Sequence, residues 1–137
     1  MRTQLKLLWI ALMFCTCSWS EEKIKFGEDH CVYCRMSISD PRYGALLVTD
    51  KGRIRKYDAA ECMINDVNEN AIASRKMMVI AYDQPKKLIH VDSAYFVISS
   101  VYNSPMGANM AAFSSKEAIT DSLALLTWQQ ANQSILK

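Results

Sequence analysis

Short apolar or alternating runs, separated by turn residues, recur along most of the chain. Runs of this length with β-branched and aromatic residues are typical of strands. The predicted strands are 43–49, 53–57, 77–82, 88–91, 94–101, 110–113 and 124–126. Asp50, Lys51 and Gly52 separate the first two runs, and glycine supplies the positive φ that a tight turn requires. The pattern therefore predicts a hairpin over 43–57.

Three segments show helical patterns preceded by capping residues. Asp58 with Glu61 three residues later has the form of a capping box and predicts a helix over 59–67. A second box at 114–117 predicts a helix near 116–122, and Thr127 is predicted to cap a terminal helix that runs to about Leu136. Strands mixed with a few helices indicate an α+β fold.

A faint internal repeat divides this fold. A methionine, Met36 or Met106, precedes a strand in each half, and each half ends in a capping residue and a helix. The pattern predicts two similar ββα-type halves, with Met36 and Met106 at equivalent points. The 137 residues are expected to form a single domain, at 21–137, after a leader.

Residues 1–20 are predicted to be a signal peptide. Arg2 and Lys6 precede an apolar stretch that is too short to span a bilayer, and small residues stand before Glu21. The alternative is a lipoprotein signal, with a lipid attached at Cys15 or Cys17. Either form of leader predicts a protein that is exported to the periplasm or beyond the cytoplasmic membrane.

Charge narrows the classes of partner. Without residues 1–20 the chain holds equal numbers of basic and acidic residues, since the leader contains two bases and no acid. Nucleic-acid binding is not expected, because it needs a basic excess. Hydrolytic catalysis also has little support: the chain has two histidines, no Gly-x-Ser-x-Gly element and no phosphate-binding glycine loop.

The candidate chemistry lies in one short stretch. Cys31, Cys34 and Met36 place two thiols and a thioether within six residues. Soft sulfur donors select Cu(I), zinc or iron–sulfur clusters. Zinc sites do not use thioethers, so the methionine favours Cu(I). The spacing therefore predicts a metal site rather than a catalytic one.

Three alternatives remain open on the residues alone. Cys31 and Cys34 can form a disulfide in an oxidising compartment. They can instead serve a thiol–disulfide oxidoreductase, although Pro41 argues against a helix after the motif. A structural zinc module would need a second pair of ligands, and Cys62 and His90 lie far apart in the sequence.

Four elements of the chain together resemble the NosL family of accessory proteins of nitrous oxide reductase. They are Cys34-Arg35-Met36, the strand–turn–strand into Tyr57-Asp58 with Cys62 on the next helix, the run 92–100, and Pro105-Met106-Gly107 leading to Ala112-Phe113. They occur in the family's order and span nearly all of the chain after the leader.

This resemblance implies an exported, often lipid-anchored, non-enzymatic Cu(I) chaperone with an α+β fold of two similar halves. It implies delivery of copper for the copper–sulfide centre of nitrous oxide reductase, with that enzyme and its maturation machinery as partners. Cys34 and Met36 match the Cys-x-Met donors of the family, and Met106 matches its Met-Gly element. Cys31 extends the motif and completes the predicted metal ligands: Cys31, Cys34, Met36 and Met106.

The prediction orders the variants. Cys34→Ser should weaken Cu(I) binding most, and Met36→Leu and Met106→Leu should weaken it less. Cys62 is expected to be a buried packing residue, so Cys62→Ser should change binding very little.

Overall fold

The computed structural model describes residues 22–119 and 123–137. The predicted signal peptide, with Cys15 and Cys17, lies outside the described residues, as does the end of the helix predicted over 116–122. Within the described ranges no helix is long and apolar enough to cross a membrane.

The strands form two antiparallel sheets. The larger sheet has the order β2-β1-β3-β4, and the smaller sheet pairs β5 with β6. The strands are β1 (Ala45–Thr49), β2 (Ile54–Tyr57), β3 (Ser74–Ala81), β4 (Gln84–His90), β5 (Tyr95–Ile98) and β6 (Met110–Phe113). A hydrogen bond of 2.7 Å from the Tyr82 N–H to the Ala112 carbonyl connects the two sheets. The predicted α+β class is confirmed.

Two helices contact each other. α1 (Ala60–Glu69) follows β2, and α2 (Trp128–Ile135) ends the fold. Met63 and Ile64 of α1 are fully buried in the main core. Asp66 fixes α1 on the sheet, since its carboxylate accepts hydrogen bonds from Tyr57 at 2.7 Å and from Arg55 at 2.6 and 2.9 Å.

Three sequence-based expectations about local structure are wrong. Asp58 does not cap α1, whose N-cap is Ala59 with no side-chain hydrogen bond. The helix predicted near 116–122 is a single 3₁₀ turn, Lys116–Ala118, whose chain becomes extended at Ile119. The strand predicted over 124–126 is reduced to one bridge between Leu126 and Phe96. A capping pattern thus marks a place where the chain turns, but tertiary contacts decide which element forms after the turn.

The segment before β1 carries the Cys31–Met36 stretch to the edge of the sheet. The Val32 N–H donates to the Lys56 carbonyl at 3.0 Å, so the segment lies along β2. The Tyr33 hydroxyl donates to Glu69 at 2.7 Å and reaches the end of α1. The segment is thereby held between the outer strand and the helix.

Candidate metal centre

A tight turn over 31–36 positions the first two thiols. The Cys31 N–H donates to the Met36 carbonyl at 2.8 Å, and the Arg35 N–H donates to the Cys31 carbonyl at 3.0 Å. Arg35 has a φ of 68°, a conformation that side-chain-bearing residues adopt at some cost. The chain therefore turns back on itself, and both cysteines of the motif face one point.

Cys62 completes a group of three thiols that we call the thiol cluster: Cys31, Cys34 and Cys62. Their sulfur atoms all lie within 4.8 Å of one another, and the three cysteines are free. Cys62 stands in the first turn of α1, which begins at the end of β2, where the Cys31–Met36 turn is attached. Sequence reasoning kept Cys62 apart from the donors. The chain after the predicted leader holds three cysteines, and this odd number is the sequence signal for a free thiol or for a use other than disulfides.

Cys31 is placed to be the thiolate of the cluster. The Cys62 thiol donates a hydrogen bond to it, and the backbone N–H groups of Asp58, Cys34 and Tyr33 also point at its sulfur. The Cys34 N–H lies 3.5 Å from that atom. These donors stabilise the negative charge and lower the pKa of Cys31 to about 5, even though Cys31 is buried.

The other two thiols hold their protons more strongly. Donating to the Cys31 thiolate, together with burial, raises the pKa of Cys62. Burial raises the pKa of Cys34, which is only partly buried. The carboxyl of Asp58 is buried beside the cluster, and burial followed by the negative charge of Cys31 raises its pKa to about 6. Cys31 is therefore the thiol of the cluster that ionises most readily.

Residues 24–122 match the model of the NosL family. The chain belongs to the NosL family. The crystal structure of the copper chaperone NosL from Shewanella denitrificans has the same fold, with a TM-score of 0.65 and 17% sequence identity. That match covers 81% of this chain and 96% of the other. Comparison with the curated proteins gives no match.

The two methionines predicted as donors in this NosL-family chain lie at the surface. Met36 is 51% exposed, and its backbone N–H forms a hydrogen bond with the Cys34 thiol. Met106 is 40% exposed and stands in the connection between β5 and β6. Its backbone N–H stabilises the charged form of Glu61, the residue directly before Cys62. Both assignments as metal ligands stay predictions.

His90 does not join the thiol cluster. Among the histidine, cysteine and acidic residues that the structure describes, only the three cysteines form a group with metal-binding spacing. His90 ends β4, and its Nδ1 accepts a hydrogen bond from the Asp92 N–H at 3.3 Å. The second ligand pair that a structural zinc module would need is therefore not assembled there.

Proposed function

We propose that this protein is an exported Cu(I) metallochaperone. The proposed donors are the thiols of Cys31, Cys34 and Cys62, with the thioethers of Met36 and Met106 as additional ligands. Copper is cargo in this proposal, taken up and passed on. The single observation that carries the proposal is the convergence of three thiols at one point on a fold of the NosL family.

The chemistry of the donor set favours Cu(I). Cysteine sulfur is soft, and clustered soft donors suit Cu(I) better than the harder Cu(II). Cys31 is the thiol that ionises most readily, because its pKa is lowered by the donors around its sulfur. Cys34 and Cys62 release their protons as the metal binds, because metal ligation requires the deprotonated thiol.

Burial gives the three thiols different roles. Cys31 and Cys62 are almost fully buried and are rigidly held by the turn and by α1. Cys34 is partly accessible, and the exposed Met36 is two residues away. Copper is proposed to enter and leave on the Cys34 side, where an incoming ligand can replace the protein's donors one at a time.

The accessibility and the pKa values of the thiols disfavour a thiol–disulfide oxidoreductase. Such enzymes present an accessible thiolate with a lowered pKa, often at a helix N-terminus. In this chain the thiol with the lowered pKa is the buried Cys31, whereas the pKa of the accessible Cys34 is raised. In the described chain no helix begins at the Cys31–Cys34 turn, and the first helix starts at Ala60.

The recipient and the location belong to the proposal. We propose that the protein works outside the cytoplasmic membrane, after removal or lipidation of residues 1–20. We propose that it supplies copper for the copper–sulfide centre of nitrous oxide reductase. The resemblance of the sequence motifs to the NosL family supports this recipient.

Metal competition tests the proposal. The protein without its leader should bind one Cu(I) in competition with a coloured Cu(I) chelator, and it should retain that copper in the presence of excess Zn²⁺. A variant with all three cysteines of the thiol cluster changed to serine is the control and should not compete. A preference for Zn²⁺, or failure to compete with the chelator, would overturn the assignment.

Two further measurements address the recipient and the leader. Copper-loaded protein mixed with metal-free nitrous oxide reductase should lose copper to it, while the same protein mixed with metal-free serum albumin measures unspecific loss. Mass spectrometry of the N-terminus from the native membrane fraction should show either cleavage after Ser20 or a lipid on Cys17. An intact Met1 in that material would contradict both forms of export.

A further inference from the structure

We propose that Glu61 is a positioning residue that holds the loop carrying Met106 against α1. This loop comprises residues 104–108, and we call it the Met106 loop. The inference rests on the proposed function only in that Met106 is taken as a copper donor. The contacts between Glu61 and the Met106 loop do not depend on that assumption.

Three groups of one loop converge on one carboxyl group. The Ser104 hydroxyl donates a hydrogen bond to Oε1 of Glu61. The backbone N–H groups of Met106 and Ala108 also lie on the side of the Glu61 carboxyl and stabilise its charged form. Within the loop, the Gly107 N–H donates to the Ser104 carbonyl at 2.9 Å. Glu61 therefore fixes the loop on both sides of Met106.

This arrangement is costly, which argues against a merely structural role. Glu61 is only 2% exposed, and its Oε2 has no hydrogen-bond partner among the described residues. A glutamate in the first turn can stabilise a helix from the surface, without being buried. Buried polar atoms without partners are rare and call for an explanation.

The position of Glu61 supplies that explanation. Glu61 and Cys62 are consecutive residues in the first turn of α1, so one backbone element carries both the loop anchor and a thiol of the cluster. Met106 itself stands at the rim of an open cleft of about 390 Å³ that Glu61 and Ile98 also line. The anchor thus holds an accessible thioether in a fixed relation to α1.

The anchor is tested first without copper. Ser104→Ala removes one hydrogen bond to Glu61 and should speed amide hydrogen exchange at Met106 and Ala108 by about tenfold or more, because a bond to a charged acceptor is lost. Ser114→Ala is the matched control. Its hydroxyl donates to the carboxylate of Asp83 in a turn that carries no methionine. It should leave the exchange of Met106 unchanged, and equal rates in Ser104→Ala and the unaltered protein would overturn the anchor.

A double-mutant cycle tests the link to copper. Ser104→Ala should lower the Cu(I) affinity by about three- to tenfold in the unaltered background and should change nothing further in Met106→Leu, since coupled residues are not additive. Glu61→Gln is the conservative variant, which keeps an oxygen for Ser104 and should retain more affinity than Glu61→Ala. Full additivity in the cycle would contradict a positioning role.

The two proposals fail differently. Suppose that Ser104→Ala speeds amide exchange at Met106 and Ala108 while Met106→Leu leaves the Cu(I) affinity unchanged. Glu61 would then still anchor the loop, but Met106 would not be a copper donor. If instead Ser104→Ala left amide exchange unchanged while Met106→Leu strongly lowered the Cu(I) affinity, Met106 would be a copper donor but Glu61 would not anchor its loop. If Ser104→Ala does not fold, Glu61→Gln and Glu61→Ala answer the exchange question in its place.

Discussion

The two helices begin with similar sequence patterns but differ in how those residues are used. At α2, Thr127 accepts a hydrogen bond from the Gln130 N–H, and the Gln130 side chain accepts one from the Thr127 N–H. The capping box is complete. At α1, Asp58 and Glu61 have the same spacing, and yet no side chain caps the helix.

The residues at the start of α1 are committed to the neighbouring site instead. The Asp58 N–H points at the Cys31 sulfur, Glu61 holds the Met106 loop, and Cys62 enters the thiol cluster. Because these residues do not cap α1, the first backbone N–H groups of the helix receive no hydrogen bond from a capping side chain. The same capping-box spacing therefore stabilises the start of α2, whereas at α1 its residues contribute to the candidate metal centre.

The largest expected effect comes from removing the thiol of Cys62. Cys62→Ser should lower the Cu(I) affinity by more than about tenfold, or about 1.4 kcal/mol, because one of three converging sulfur donors is lost. Competition with a Cu(I) chelator measures it. The sequence alone predicts the smallest loss of Cu(I) affinity for Cys62→Ser. The geometry of the thiol cluster instead predicts a loss similar to that of Cys34→Ser.

Two companion variants separate chemistry from packing. Cys62→Ala should weaken binding as much as Cys62→Ser, since both lack sulfur. Met63→Leu, which changes the fully buried next residue at nearly constant volume, should bind copper normally. If Cys62→Ser bound Cu(I) as tightly as Met63→Leu, Cys62 would be a packing residue and not a copper ligand.

The second effect concerns the contacts that hold α1 in the absence of a cap. Asp66→Asn should cost about 1.5–3 kcal/mol of stability, because the buried carboxylate accepts hydrogen bonds from Tyr57 and Arg55. Urea denaturation of the metal-free protein measures it. The copper affinity should not change. If this variant cost less stability than the loss of the α2 cap, Asp66 would not be the residue that fixes α1 on the sheet.

The contrast between the helices also shows how far sequence reasoning can reach. The hairpin over 43–57, the helix after it and the strand 110–113 are predictable from alternation and turn residues, which are local signals. The cap of α2 is local too, and the sequence predicts it at Thr127. Cys31 and Cys34 can be paired from the sequence because they are close in it.

The features that could not be predicted depend on contacts between distant segments. Cys62 joins Cys31 only because the turn at 31–36 runs along β2 and reaches α1. Glu61 fits the capping pattern, but Ser104, 43 residues away, takes its carboxylate. The odd cysteine count indicates a free thiol or another use of the thiols, and Cys62 on the helix belongs to the resemblance to the NosL family, but neither feature places Cys62 beside Cys31.

The smallest effect is expected at the capped helix. Thr127→Ala should reduce stability by about 1 kcal/mol, because an N-cap side chain satisfies an otherwise unpaired N–H group. Thr127→Ser keeps the hydroxyl and should lose far less. Since α2 packs on α1 and Trp128 contacts the ring of Phe96, the loss should appear in the global urea midpoint and not only as fraying of the helix. The Cu(I) affinity of both variants should equal that of the unaltered protein. A drop in affinity with Thr127→Ala would mean that the two helices are coupled at the metal centre, and the division of roles between them would not hold.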